Sequence, residues 1–441
     1  MVVMAQPFRF TRHKSADAPT VYIISVRESD TLYRSNSPMT PREQMLDVTS
    51  RNAAVRSAIG DHRAATRRGF QSLGEPSAIF ADREGKFSFA FGGFVALRAA
   101  YGFDRAIDNI DMVPYDIPMG GGNVSRQQLQ MDASTSRLYL RGIANSSRLG
   151  KVEIFFDVDF RGRAAGSYTP RLRSGYVSML GLTVGRDVTT FCDLEAAPTT
   201  IDFQGPNAYN YNFATMIRYE HSFIDNHLKI GVAAEIPKVS GTYGTMLAPV
   251  PQRVPDVPVY LQYAWGDNRQ SHIRASGVFR NMYLYNEARE VTSDLFGWGV
   301  QFSGTIHVTP FIQLFMNGVY GEGITPYLQD LTGSGLDFTP NPSDEGRVQT
   351  MPMYGWQAAA QINILPNLFI SGGYSAVTVC KKNGYYTADQ YRMGQYIFGN
   401  IFYNVTRRFC IAAEYLWAKR ENMSGVSHHA NRVNLLAKYN F

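Results

Sequence analysis

Arginine is the residue type in this chain whose positions point most clearly to chemistry. A planar guanidinium group binds carboxylate and phosphate groups through two parallel hydrogen bonds. Arginines recur on the inward-facing positions of strand-like segments, where they would line a water-filled passage and favour small anions. The sequence predicts this pore-lining role for Arg98, Arg137, Arg141, Arg171, Arg173, Arg218, Arg274 and Arg280.

Acidic residues on the same inner register leave a second interpretation open. Any polar interior must carry charges, and these arginines could pair off with carboxylates instead of meeting solutes. The acids cluster on the third predicted strand, between strands rich in arginine, and such an arrangement gives a transverse field that orients dipolar solutes. The acidic residues concerned are Glu153, Asp157, Asp159, Glu220, Glu235 and Glu414.

Alternation of apolar and polar residues places these charges on one face of each segment. At the end of the chain, Val433, Leu435, Ala437, Tyr439 and Phe441 occupy every second position. A period of two puts one set of side chains on each face of a strand. In a soluble protein, a long apolar strand without a neighbour would promote aggregation. In an outer membrane, the same strand can close a barrel.

Segments of this kind recur from residue 86 to the end of the chain, and we count sixteen. Short, turn-rich joints such as Thr309-Pro310 and Pro366-Asn367 alternate with long loops, which we place at Phe103 to Ala133, Val239 to Val257 and Ile324 to Gln349. Short turns at one end and long loops at the other are typical of outer-membrane barrels. The sequence therefore predicts an all-β fold, a sixteen-stranded antiparallel transmembrane β-barrel in a bacterial outer membrane. The predicted strands are Phe87 to Tyr101, Ser136 to Ala144, Val152 to Arg161, Arg171 to Met179, Leu182 to Thr189, Phe213 to Ser222, Leu228 to Pro237, Pro258 to Trp265, Ser271 to Leu284, Asp294 to Val308, Phe311 to Gly321, Pro352 to Leu365, Leu368 to Val379, Tyr391 to Val405, Phe409 to Arg420 and His428 to Phe441.

Composition argues against several other classes of protein. Hydrophobic residues make up 44% of the chain, yet mean hydropathy is only -0.21 and no apolar run is long enough for a membrane helix. A net charge of +6 is too small for this length to indicate nucleic-acid binding, and no glycine-rich phosphate loop is present. The three cysteines lack metal-ligand spacing. We predict no metal and no cofactor.

Two other functions compete with a porin. An outer-membrane enzyme would need a paired serine, histidine and acid, whereas the neighbours His428 and His429 point to opposite faces of their strand. A structural or adhesive barrel would have a plugged or narrow lumen. We predict that the protein is not an enzyme.

Residues 1–85 are predicted to form a periplasmic extension, and residues 86–441 the barrel. Thr40, Pro41 and Glu43 make a capping box at the start of a helix. Spacings of three and four continue to Thr66, with polar core positions that include His62. This pattern predicts either a short parallel coiled coil that joins copies of the chain or a single amphipathic helix. Residues 69–85 are expected to be a linker.

The loop that follows the fifth predicted strand is the second candidate site. It runs from Gly185 to Pro206 and would be the third external loop. Apolar residues such as Phe191 and Phe203 would let it pack against the barrel wall instead of extending into solvent. Folded inward, this loop would narrow the pore and place Thr189, Thr190 and Asp193 at the constriction.

The stretch from Arg171 to Pro206 resembles the DcaP-like family of trimeric outer-membrane porins. The resemblance is carried by LRSGYV, by GLTVGRDVTTF and by Asp193, Ala196, Pro198, Thr200, Asp202, Phe203, Gly205 and Pro206.

This resemblance implies a homotrimer embedded in outer-membrane lipid, with a periplasmic coiled coil. It also implies passive uptake of small organic anions, dicarboxylates especially. Val188 stands where the family usually has a tryptophan, and Cys192 is also unusual there. A phosphate-selective porin and a general diffusion porin remain alternatives.

Overall fold

The computed structural model describes residues 21–24, parts of 57–82, and residues 86–441 except 106, 121–126 and 164. Strands dominate the described residues, and helical structure is confined to short segments. The strands, in chain order, are β1 Val21–Ile24, β2 Ala78–Asp82, β3 Phe87–Asp104, β4 Gln128–Asp132, β5 Arg137–Ser146, β6 Gly150–Asp159, β7 Arg171–Met179, β8 Leu182–Val188, β9 Phe213–Phe223, β10 Leu228–Glu235, β11 Leu247–Pro249, β12 Val257–Trp265, β13 Ser271–Asn286, β14 Val291–His307, β15 Ile312–Glu322, β16 Phe338–Asn341, β17 Asp344–Thr350, β18 Pro352–Leu365, β19 Leu368–Val379, β20 Tyr391–Asn404, β21 Phe409–Asn422 and β22 Ser427–Asn440.

The strands form a closed antiparallel barrel of sixteen strand positions. Each wall strand pairs with its neighbour, and the last strand, β22, closes the ring by pairing with β3, so that Leu435 lies opposite Ala99. Two wall positions consist of two short strands in line, β4 with β5 and β11 with β12. The predicted fold class and strand count are confirmed.

Alternating side chains give the barrel an apolar exterior, as β12 illustrates. Leu261 and Tyr263 point outward and are about half exposed, whereas Tyr260 and Ala264 point inward and are buried. In a bilayer the outward-facing side chains contact lipid. Because the barrel is closed, the backbone N–H and C=O groups of its wall strands can bond to neighbouring strands and none forms an open sheet edge in the lipid. The apolar positions read from the sequence therefore form the membrane-facing surface.

Short turns lie at one end of the barrel and long loops at the other. Between β9 and β10, Ile224, Asp225 and Asn226 all have positive φ angles, of 50°, 51° and 66°. Asparagine and aspartate tolerate this conformation in tight turns. The long loops between β3 and β4, β8 and β9, and β15 and β18 emerge at the opposite end.

Several strands lie inside segments that the sequence predicted as loops. β4 falls within the stretch from Phe103 to Ala133, β11 within Val239 to Val257, and the hairpin of β16 and β17, except for Thr350, within Ile324 to Gln349. β4, β11 and β16 have three to five residues each. Strands this short show too few alternations to be recognised by periodicity.

Part of the N-terminal region packs on the barrel. β2 pairs with the first part of β3, with Ala81 opposite Ser88, and β1 pairs with β2. The predicted linker over residues 69–85 therefore contains a strand. Residues 57, 60–62 and 64 are helical, and the rest of the predicted helix from residue 40 lies outside the described residues. Among the residues described, no helix is long and apolar enough to cross a membrane.

Candidate functional site

The loop between β8 and β9, residues 189–212 (hereafter L3), lies inside the barrel and contacts its far wall. Gln357 on β18 donates a hydrogen bond to the carbonyl oxygen of Ala196 at 2.8 Å. The Glu414 carboxylate on β21 accepts hydrogen bonds from the backbone nitrogens of Ile201 and Asp202, at 2.9 and 2.8 Å. L3 therefore begins at one wall of the barrel and is fixed to the opposite one.

The predicted constriction residues lie at the start of L3 and are buried. Thr189 Oγ1 and the Thr190 backbone nitrogen donate hydrogen bonds to Glu235 on β10, at 2.6 and 2.7 Å. Asp193 accepts a hydrogen bond from His272 Nε2 on β13 at 2.9 Å. Burial alone would raise the pKa of Asp193, but His272 outweighs it and the pKa falls to about 2. These polar groups hold L3 against the wall.

A second carboxylate on L3 behaves differently. Asp202 accepts hydrogen bonds from the backbone nitrogen of Met112 at 3.1 Å and from the hydroxyl of Tyr396 at 3.0 Å. Burial, together with the nearby carboxylates of Asp111 and Glu414, raises the pKa of Asp202 to about 7. Burial and the neighbouring carboxylates thus raise the pKa of Asp202 more than the hydrogen-bond donors around it lower this pKa.

A cavity of about 220 Å³ separates the start of L3 from the wall formed by β9, β10, β12 and β13. Its walls carry both signs of charge, with cations on the strands and carboxylates on both sides. The charged residues that line it are Arg218, Lys229, Arg274, Asp187, Asp193, Glu195 and Glu220.

The Arg274 side chain reaches from the barrel wall to L3, and Tyr260 and Thr190 fix its position. Its guanidinium carbon lies 3.6 Å from the centre of the Tyr260 ring, and it donates a hydrogen bond to the Thr190 carbonyl oxygen. Stacking on an aromatic face favours a cation electrostatically. Gly231 permits this arrangement, because a Cβ added there would lie 2.2 Å from the Tyr260 ring.

Two further cations share one carboxylate at the same wall. Glu220 lies 2.9 Å from Lys229 Nζ and 3.4 Å from Arg218 Nε. Arg218 also pairs with Asp187 at 2.9 Å. The Lys229 side chain remains 38% exposed, so its ammonium group is open to the cavity.

Most of the other predicted pore-lining arginines are buried in ion pairs. Arg171, with a side chain 35% exposed, is the most accessible of them. Of the whole predicted set, Arg274 is the member with no carboxylate at ion-pair distance among the described residues. The alternative interpretation, that interior charges pair off, therefore describes most of these arginines. The pairs are Arg98 with Asp111 and Asp132, Arg137 with Asp157, Arg141 with Glu153, Arg171 with Asp159, Arg173 with Asp157 and Asp159, and Arg280 with Asp256 and Asp337.

Sequence reasoning missed several residues of the interior. Arg161 lies 4.3 Å from the centre of the Phe203 ring on L3, Arg173 lies 5.2 Å from it and Arg98 lies 5.9 Å from it, so one ring receives guanidinium groups from three segments. Lys229 and Tyr260 were missed at the cavity. Both lie on the inner register of their strands, and that register was the available signal.

Residues 69–74 also lie inside the barrel, where the sequence predicted a linker. The Phe70 backbone nitrogen donates a hydrogen bond to the Leu194 carbonyl oxygen of L3 at 2.8 Å. Arg137 donates to the Gln71 carbonyl oxygen at 2.7 Å, and Arg173 donates to the Gln71 side-chain oxygen at 2.8 Å. Arginines predicted to meet solutes therefore contact the protein's own N-terminal region.

Comparison with known families identifies this architecture. Residues 75–245 match the family model described as DcaP outer membrane protein. The predicted resemblance to DcaP-like porins is confirmed over these residues. This DcaP-like chain is a porin-type barrel of the bacterial outer membrane.

In the described part of the chain, no group of three histidine, cysteine, aspartate or glutamate side chains could hold a metal ion.

Solved structures share the fold of this DcaP-like chain at low sequence identity. The outer membrane channel DcaP of Acinetobacter baumannii is 22% identical, with a TM-score of 0.71, over 81% of this chain and 98% of that one. An anion-selective porin from Comamonas acidovorans is 14% identical, with a TM-score of 0.50, over 80% of this chain and 100% of that one. A trimer form of OmpT from Vibrio cholerae is 11% identical, with a TM-score of 0.51, over 80% and 99%. A comparison with curated proteins found no match.

Proposed function

We propose that the protein lets small anionic solutes, of the dicarboxylate kind, diffuse passively through the outer membrane. The passage would run between the start of L3 and the wall of β9, β10, β12 and β13. In this proposal the barrel is not an enzyme and uses no cofactor. Its partners are the solutes, the outer-membrane lipid and two further copies of the chain.

The observation that carries this proposal is the state of Arg274. Its guanidinium group stacks on Tyr260 at 3.6 Å and has no carboxylate at ion-pair distance among the described residues. Lys229, exposed to the same cavity, shares its carboxylate partner with Arg218. Cations in a narrow passage meet an anion at a lower effective dielectric than in bulk water.

Charges on the opposite side of the cavity support a transverse field. Asp193 and Glu195 belong to L3, and His272 lies 2.9 Å from the first and 3.9 Å from the second. The Glu195 side chain is 37% exposed. A dipolar solute with a carboxylate at one end would turn that end toward Arg274.

A general diffusion porin is the second candidate, because one observation favours it. Most predicted pore-lining arginines are already neutralised by carboxylates, as in the pairs of Arg173 with Asp159 and Arg98 with Asp111. If the cavity cations are balanced in the same way by Glu220 and Glu195, no ion would be preferred. Phosphate selectivity would use the same guanidinium chemistry as carboxylate selectivity.

A homotrimer is part of the same proposal. It is supported by the resemblance to DcaP-like porins and by the fold shared with the trimer form of OmpT. The predicted coiled coil would add to the contact between barrels. Of its proposed core positions, His62 is buried against the barrel, where its Nε2 lies 3.0 Å from Ser88 Oγ. Any coil would therefore end before this residue.

Reversal potentials of single channels in a potassium chloride gradient test the ion preference. We expect a potential on the anion-selective side, and faster uptake of succinate than of a neutral sugar of similar size in proteoliposomes. A potential near zero with equal uptake of both solutes would favour the general diffusion porin. A cation-selective potential would refute both.

A further inference from the structure

Residues 70–74 (hereafter the stopper) lie between L3 and the wall formed by β5, β6 and β7. On the L3 side, Phe70 is only 3% exposed. Its ring centre lies 5.3 Å from those of Tyr209 and Tyr211, in edge-to-face geometry with both. Together with the backbone hydrogen bond to Leu194, these contacts attach the stopper to L3.

On the wall side, Leu73 packs against Tyr139, Phe155 and Tyr176, one residue from each of the three strands. The space that remains around the stopper is a cavity of about 40 Å³. That volume holds about one water molecule. A hydrated ion or an organic solute is therefore too large for the space that the described residues leave between L3 and this wall while the stopper is in place.

Gln71 joins the two sides through polar contacts. Its backbone and side-chain carbonyl oxygens accept hydrogen bonds from Arg137 and Arg173, and its side-chain nitrogen donates to the Phe203 carbonyl oxygen of L3 at 2.7 Å. Both guanidinium groups thus bind an uncharged oxygen of the stopper in addition to a carboxylate. An oxygen of a passing anion could take the same place.

We propose that the stopper closes a second passage through the barrel, along β5, β6 and β7, and that Gln71 determines whether it is open. With the stopper displaced, Arg137, Arg141 and Arg173 would face water beside L3. The closure itself stands on the contacts above, whereas the ion preference of the opened passage rests on the proposed function. The N-terminal region then sets both the conductance and the selectivity of the pore.

Opposite charges at residue 71 test this proposal in the full-length protein. Gln71→Lys places a third cation between two guanidinium groups and should expel the stopper. Gln71→Glu adds an anion there and should hold it more firmly. Because two comparable passages in parallel conduct about twice as much as one, we expect Gln71→Lys to raise unit conductance about twofold. Gln71→Glu should keep or lower the wild-type value.

Matched exchanges at Gln127 control for the change in net charge. This residue is exposed in the loop between β3 and β4, and Gln127→Lys and Gln127→Glu should leave conductance as in the wild type. Phe70→Ala offers a second route, since it removes the apolar contact with L3 and should also raise conductance. Gln71 has a positive φ of 55°, so lysine and glutamate bear the same backbone strain.

The outcomes separate this proposal from the proposed function. An unchanged conductance in both Gln71→Lys and Phe70→Ala would overturn the stopper, as would equal changes in Gln71→Lys and Gln71→Glu. A wild-type pore without anion preference would refute the proposed function alone. A twofold rise in Gln71→Lys would still support the stopper in that case.

Discussion

On the β5 to β7 side of the barrel, arginines face carboxylates at ion-pair distance, and the cavity beside them has a volume of only about 40 Å³. On the β9 to β13 side, a cavity of about 220 Å³ lies against Arg274 and Lys229. Both sides present basic residues on the inner register of their strands. The sign of a side chain therefore does not decide whether it is available to a solute.

The neighbours of each side chain explain the difference. Arg173 is fully buried and touches Asp159, Asp157 and Gln71, so its charge is compensated within the protein. A buried ion needs such partners because its desolvation costs several kcal/mol. Lys229 keeps part of its hydration and can exchange Glu220 for another anion. The first side is suited to holding structure in place and the second to transient contact.

The largest effect we expect is on stability, from Arg173→Met. The substitution would remove one of the two arginines that compensate each of the buried carboxylates Asp157 and Asp159, at a cost of about 3 kcal/mol. Lys229→Met, on the other side, should cost at most about 1 kcal/mol because its ion pair is partly exposed. Urea unfolding in lipid vesicles measures both free energies of unfolding. Equal losses would erase the distinction between the two sides.

Lowering the pH should release the N-terminal segment and so open the passage along β5, β6 and β7. Burial, followed by the charges of Arg141 and Lys151, lowers the pKa of His62 from 6.5 to about 4. The inserted segment therefore holds a neutral His62, whereas a released one takes up a proton once the pH falls below about 6.5. Insertion is strongest above that pH and weakens by on the order of 3 kcal/mol toward pH 4. Conductance should rise over this interval.

A His62→Gln variant provides the control, because it cannot be protonated and should show a flatter pH profile. A wild-type conductance independent of pH between 7 and 4 would contradict the prediction. The polar and charged groups that face His62 or its immediate neighbours are Ser88, Thr66, Arg141 with its partner Glu153, and Lys151 with its partner Asp61.

Selectivity should depend on the open side more than on the closed one. Replacing Lys229 and Arg274 together with glutamine should lower the anion-to-cation permeability ratio about tenfold, which corresponds to about 1.4 kcal/mol. Replacing Arg171 and Arg173 with glutamine should shift the ratio less, since carboxylates already compensate them. Reversal potentials in a salt gradient report both values. A larger shift in the second variant would move the solute path to the β5 to β7 side.

The smallest effect should come from the predicted coiled coil. Deleting residues 1–56 keeps His62 and the stopper, so conductance should stay as in the wild type. The trimer should dissociate at a lower temperature in detergent, because the coil no longer joins the copies. Gel mobility after stepwise heating measures this temperature. An unchanged value would remove the coil from the assembly, and a monomeric full-length protein would refute the trimer.

The sequence by itself determined the barrel, because alternation is a local signal repeated in every strand. The bounds of β7, β18 and β19 coincide with those predicted, and the inward register of Arg98 or Arg274 follows from its apolar neighbours on the same strand. β4 and β11 escaped detection because strands of five and three residues hold too little alternation.

Only the tertiary structure decided which charges remain available. Asp111, in the loop after β3, reaches both Arg98 and Arg161, and Gln71 reaches Arg173 across 102 residues of chain. Periodicity carries no information about such contacts, because they depend on how loops and the N-terminal region fill the interior. Strand register fixes the face on which a charge lies, and long-range packing fixes whether that charge meets a carboxylate, the chain itself or water.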